Sequence, residues 1–184
     1  MRELHPDIAR VIISEDEIQA RVAQIAAQLE EDYAHADEIY MVGILKGAFI
    51  FLADLARCLH KRHVVDFMAV SSYGMTATTT GAVRILMDLR EPIQNRHVLI
   101  VEDILDSGNT LAYLYHTLQE RRPASLKTCV LCKKQREHAD VPIDYLGFEI
   151  PDVWVVGYGL DFAETHRTLP YIGELKPEIY QNVE

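Results

Sequence analysis

Val98-Leu99-Ile100-Val101-Glu102-Asp103-Ile104-Leu105-Asp106-Ser107-Gly108-Asn109-Thr110-Leu111 decides the fold. Val98 to Val101 is a short, unbroken apolar run, the pattern of a strand buried on both faces, as in a parallel sheet. Glu102 and Asp103 follow at its C-terminal end. Asp106 to Thr110 is a small polar turn. From Leu111 the apolar residues Leu111, Leu114, Tyr115 and Leu118 recur at helical spacing. The order is therefore strand, acidic step, turn, helix. In open α/β sheets, ligands bind beyond the carboxyl ends of the strands.

The turn suits a phosphate. Gly108 allows positive φ and close backbone approach. Ser107 and Thr110 bring hydroxyls, and a helix start presents free N–H groups with a positive dipole end. The acids upstream would repel a phosphate. They suit sugar hydroxyls or Mg²⁺ instead. Phosphate, ribose and metal together describe a phosphorylated sugar. An ordinary strand-to-helix junction needs one N-cap, such as Asp106 or Ser107. It has no use for three acids in five positions.

This run resembles the phosphoribosyl diphosphate (PRPP) signature of the type I phosphoribosyltransferases, and in detail that of the hypoxanthine/guanine branch. The resemblance implies an α/β fold: a central, mainly parallel sheet flanked by helices. A small hood would come from the N- and C-terminal segments. One domain, 1–184, would have its core at about 36–140 and its hood at about 1–14 and 141–184.

Bulk properties agree with a small-molecule enzyme. A chain of 184 residues suits one domain. The net charge of −10 disfavours non-specific binding to nucleic acid or an anionic membrane. An anionic substrate must then be held by local cations and amides. Neither a signal peptide nor a membrane-length apolar run is visible, which points to the cytoplasm. Cys58, Cys129 and Cys132 make no disulfide framework. Cys129 and Cys132 lie within an expected strand, Leu126 to Cys132, and read as buried thiols rather than a metal pair.

Along the chain, Ser14 and Glu17 form a capping box opening a helix to about Tyr33, with Ile18, Val22, Ile25 and Leu29 inward. Ile39 to Leu45 is a strand ending in Lys46-Gly47, and a helix spans Ala48 to His60. His60 and His63 have metal-pair spacing but read as a basic turn. Val64 to Ser71 is a strand whose Asp66 marks an edge or interface. Ser72 to Gly81 is small, polar and bounded by glycine; it is either a plain hairpin loop or a lid that excludes water. Val83 to Asp88 returns as a strand.

The tail carries a second cluster. Phe148 to Asp152 reads as a strand end and turn, and Trp154-Val155-Val156-Gly157 as a short strand. Trp154 is either a core residue or a stacking platform. This tail resembles the purine-binding hood of the hypoxanthine/guanine branch, closest to its bacterial members through Ser71-Ser72-Tyr73-Gly74, Glu102 to Thr110 and Leu169-Pro170-Tyr171-Ile172-Gly173.

Carried over, the resemblance implies PRPP and a 6-oxopurine as substrates, Mg²⁺ as cofactor, and a homodimer or homotetramer. Lys46, Gly47 and Arg167 would hold pyrophosphate, with the peptide before Lys46 often cis. Ser72 and Tyr73 would open the lid. Glu102 and Asp103 would meet ribose and metal, and Asp161 would sit at the metal and the 2-position of the base. Ser107, Gly108, Asn109 and Thr110 would cradle the phosphate. Asp106 would be the acid–base group at N7. Lys133 would donate to the 6-oxo oxygen, with Lys134 adjoining it. Trp154 would stack on the base, and Val155 would meet its edge through the backbone. Two alternatives stay open: another phosphoribosyltransferase, for adenine, xanthine or uracil, and a non-catalytic regulator that binds nucleotide or RNA.

Overall fold

A computed structural model describes residues 4–72 and 83–181. Its main sheet contains β2 (Ile39–Leu45), β3 (His63–Ser72), β4 (Val83–Met87), β5 (His97–Leu105), β6 (Ser125–Lys134) and β7 (Tyr145–Ile150). The spatial order is β4-β3-β2-β5-β6-β7. All neighbours run parallel except β4, which is antiparallel to β3. Strand β5 sits in the interior between β2 and β6, as its unbroken apolar run requires.

The helices cover both faces. On one side lie α1 (Glu15–Asp32) and α2 (Phe49–Cys58). Their residues Ile18, Val22, Ile25, Phe51 and Leu55 pack with Leu99 and Val101 of β5. On the other lies α3 (Asn109–Gln119). Leu111, Leu114 and Leu118 pack there with Val98 and Ile100. Successive β5 residues thus serve opposite cores. The capping box of α1 is present: Ser14 Oγ accepts from Glu17 N at 3.3 Å, and Ser14 N donates to Glu17 Oε2 at 2.8 Å.

A second sheet joins β1 (Ile8–Ile13), β9 (Ile172–Leu175) and β8 (Val155–Val156), all antiparallel. It is the expected hood, built from the two chain ends. Its boundary differs from 141, because β7 hydrogen-bonds to β6 within the main sheet. Tyr145 and Ile150 bury their side chains in the main core, which holds the segment there. A short helix, α4 (Pro177–Tyr180), follows β9.

Asp66 is 8 % exposed and accepts from Tyr40 Oη at 2.6 Å, Arg90 N at 2.9 Å and Phe67 N at 2.8 Å. The buried carboxylate is thus satisfied by local donors. Cys129 and Cys132 are buried and free, and burial pushes both thiols up. Among the described residues, no helix is long and apolar enough to cross a membrane.

Candidate active site

The carboxyl ends of β2, β5 and β6 lie side by side and carry most of the expected site. Strand β5 runs past its apolar stretch to Leu105, so Glu102 and Asp103 stand inside the strand rather than after it. Glu102 pairs with Val130 in the β5–β6 ladder. Asp103 is only 8 % exposed, and Glu102 Oε2 is shut from solvent with no hydrogen-bond partner among the described residues. Burial, then the neighbouring Asp103 charge, pushes Glu102 well above the carboxylate range. Burial raises Asp103 to about 6, against the pull of hydrogen bonds and Arg167. Two desolvated adjacent acids, one with an orphaned oxygen, form a donor set that a hard divalent cation fits.

Gly47 packs against this pair. A Cβ built there would lie 1.7 Å from Asp103 Oδ2, so the position admits only glycine with Asp103 in place. The Leu45–Lys46 peptide just before it is cis.

Beyond Leu105 the chain makes its tight turn. Asp106 and Ser107 are exposed, and Gly108 takes φ 76° as the residue that opens α3. Neither Asp106 nor Ser107 is the N-cap. Gly108 supplies no side chain, so the first N–H groups of α3 are left for another acceptor. Asn109 N reaches Ser107 Oγ only at 3.5 Å. The turn is pinned from outside, where Ala139 N donates to Ser107 O at 2.8 Å.

The loop after β8 brings the second set of cations. Arg167 donates to Gly159 O at 2.8 Å and pairs with Asp161 Oδ1 at 2.9 Å. Lys46 Nζ lies 2.9 Å and Arg167 Nη2 3.3 Å from the same atom, Glu164 Oε2. The two expected pyrophosphate cations therefore converge on one spot, held by an exposed carboxylate. Hydrogen bonds from Lys46 and Arg167 keep the Glu164 carboxyl below its usual range.

A cavity of about 180 Å³ joins the acids to the hood. Asp103, Ile104, Asp106, Trp154, Val155 and Asp161 line it. Larger hollows exist, such as that by Tyr40 and Phe67, but they lie away from this strand edge. Trp154 is 50 % exposed. Its ring stands 5.6 Å from that of Tyr180 and 5.7 Å from that of Phe162, an arrangement that fixes its plane while leaving open surface.

Lys133 is not brought to this cavity; its neighbour Lys134 is. Adjacent strand residues point to opposite faces. Lys133 Nζ lies 3.6 Å from Glu149 Oε1, whereas Lys134 Nζ lies 3.7 Å from Asp106, 3.5 Å from Asp152 and 6.0 Å from the Trp154 ring centre. Ser72 ends β3 opposite Val83. Tyr73 and the rest of the loop to Gly81 lie outside the described residues.

Sequence reasoning missed Glu164 and Arg136, and it named Lys134 only as the neighbour of Lys133. Arg136 Nη1 donates to Asp106 Oδ1 at 2.8 Å. Glu164 and Arg136 arrive from loops, where periodicity carries no signal. The positive φ of Ala163 (48°) and Glu164 (66°), which shapes the Glu164 loop, has no glycine to announce it.

Comparison with known proteins is consistent with this geometry. The family profile described as "Phosphoribosyl transferase domain" matches residues 14–163. The hypoxanthine-guanine phosphoribosyltransferase of Dictyostelium discoideum is 48% identical, over 93% of this chain and 97% of its own. Among solved structures, a hypoxanthine phosphoribosyltransferase from Staphylococcus aureus superposes with a TM-score of 0.92 at 44% identity, covering 99% of this chain and 100% of that one. The Trypanosoma cruzi hypoxanthine phosphoribosyltransferase in complex with the product IMP gives a TM-score of 0.90 at 40% identity, covering 97% and 100%.

Proposed function

The chain belongs to the phosphoribosyltransferase family, and from that premise we propose how its own residues carry out the transfer. It is a purine-salvage enzyme that moves the 5-phosphoribosyl group of PRPP to hypoxanthine, giving IMP and pyrophosphate. The single observation that carries the residue assignment is the juxtaposition of Glu102 and buried Asp103, the glycine-opened start of α3 and the Trp154 cavity at one sheet edge.

The 5′-phosphate sits in the turn Asp106 to Thr110, on the uncapped N–H groups of α3 and the hydroxyls of Ser107 and Thr110. Glu102 and Asp103 hold the ribose hydroxyls, and their negative field favours a sugar that becomes cationic as its bond to pyrophosphate breaks. Lys46 and Arg167 exchange Glu164 for the pyrophosphate, since both already point at one place. Gly47 lets that backbone approach Asp103.

The purine lies on Trp154, its edge along the Val155 backbone. Asp106 accepts the N7 proton while N9 attacks C1 of the ribose. The 6-oxo oxygen takes its hydrogen bond from the lysine pair at the end of β6. Lys134 lines the cavity and is the nearer donor, while Lys133 pairs with the exposed Glu149. Guanine, with the same 6-oxo group, is the second substrate. Glu102, Asp103 and Asp161 would hold Mg²⁺, which would supply charge neutralisation for the diphosphate. The enzyme works in the cytoplasm as a homodimer or homotetramer. The three free cysteines support the first, and exposed Val65, Leu86 and Met87 on β3 and β4 support the second.

Initial rates with PRPP and a panel of hypoxanthine, guanine, xanthine, adenine and uracil, with and without Mg²⁺, test the reading. Pyrophosphate release with the first two, dependent on Mg²⁺, is expected. Turnover of adenine or uracil instead would overturn the base assignment.

A further inference from the structure

We propose that His5, Asp7 and His166 form a binding site for one divalent transition-metal ion, of which Zn²⁺ fits best. The metal would staple the N-terminal segment to the loop carrying Arg167. One ligand atom from each of the three lies within 4.8 Å of the others. Asp7 Oδ2 is the hub, 2.8 Å from His166 Nε2 and 3.8 Å from His5 Nδ1. The two imidazole rings meet edge to face with centres 5.0 Å apart.

Asp7 N donates to His5 Nδ1 at 3.3 Å, a contact that metal ligation through that nitrogen would replace. Thr165 Oγ1 gives its proton to Phe162 O at 2.6 Å. The same oxygen lies 2.7 Å from His166 Nδ1, so Nδ1 must be the donor between them. His166 Nε2 then faces a carboxylate oxygen, Asp7 Oδ2, at 2.8 Å. A proton on Nε2 joins the two at that distance, and a metal ion bound by both would take its place. A metal-bound histidine commonly has this arrangement, with its far nitrogen donating to an oxygen that fixes the ring.

The backbone is set for the purpose. His166 is held at φ 68°, with its side chain 9 % exposed. Asp7 O accepts from Lys176 N at 2.9 Å, and His5 N donates to Tyr171 Oη at 3.2 Å. Two imidazoles with one carboxylate suit Zn²⁺, with water completing the tetrahedron, and suit Mg²⁺ poorly. The site is separate from Glu102 and Asp103 and does not depend on the reading of the reaction.

Titration of the full chain with zinc chloride, free of PRPP and Mg²⁺, tests the site by calorimetry and by thermal midpoint. Cobalt(II) absorption then reads the coordination. One Zn²⁺ per chain, a raised midpoint and a tetrahedral cobalt spectrum are expected. His5→Ala and Asp7→Asn, both at partly exposed positions, should weaken binding by about tenfold or more and abolish the midpoint gain. Absence of stoichiometric binding, or zinc held equally by His5→Ala and the unaltered chain, would overturn the proposal.

Discussion

Arg136 Nη1 donates to Asp106 Oδ1 at 2.8 Å, and Lys134 Nζ stands 3.7 Å from Oδ2 of the same carboxylate. The group proposed to take the N7 proton is therefore aimed from behind by two cations at the mouth of the base cavity. Asp106→Asn keeps its size and removes the acceptor for a proton. We expect kcat to fall by about 10²–10⁴ with PRPP affinity near its original value. Steady-state kinetics with equilibrium PRPP binding reads the difference, and unchanged turnover would take Asp106 out of the mechanism.

Gly47→Ala places a methyl group 1.7 Å from Asp103 Oδ2, so the carboxylate must move. A displacement of that size disturbs the proposed ribose and metal ligands together. A loss of kcat/KM of about 10²-fold is expected, with far-ultraviolet circular dichroism unaltered. Full activity would show that Asp103 has room to spare.

The acid pair sets a pH dependence whose sign is opposite to that of a salt-bridged carboxylate. Burial raises Asp103 to about 6. In the absence of a cation, ionisation therefore costs stability as pH rises from the ordinary carboxylate range through about 6. A metal binds the ionised form, so protons compete with it below that value. The thermal stabilisation by Mg²⁺ with pyrophosphate should grow as pH rises from about 5 to about 7.5. Equal stabilisation at both ends would place the metal elsewhere.

Tyr40→Phe removes one of the three donors to buried Asp66. Burial alone would push Asp66 up, but hydrogen bonds from Tyr40, Arg90 and Phe67 outweigh it and hold the carboxyl below its usual range. A depressed folded value means stability present above the unfolded pKa and lost as pH falls through the folded one. The substitution should cost about 1–3 kcal/mol near neutral pH and less in acid. Urea denaturation across pH measures it, and a pH-independent cost would mean that only packing was lost.

What could be read from the chain beforehand was what periodicity and capping encode. The apolar run Val98 to Val101 gave an interior parallel strand, and Ser14 with Glu17 gave the start of α1, because both signals are local. The PRPP-like turn was legible as chemistry, since Gly108 and three acids leave few other uses. The phase of β6 at its end was not. Choosing Lys134 over Lys133 for the cavity depends on which face each presents, and that is settled by pairing with β5 and β7. Glu164 and Arg136 were silent for a different reason: their partners, Lys46 and Asp106, are far away in the chain. The place of β7 in the main sheet follows from its pairing with β6, which no local pattern announces.

A crystal structure with IMP bound would decide the matter. The phosphate should lie in the turn Asp106 to Thr110, within hydrogen-bond distance of the first N–H groups of α3. The ribose should lie over Glu102 and Asp103, and the hypoxanthine ring against Trp154. A nucleotide bound elsewhere, with that turn empty, would contradict the assignment of every residue in the site.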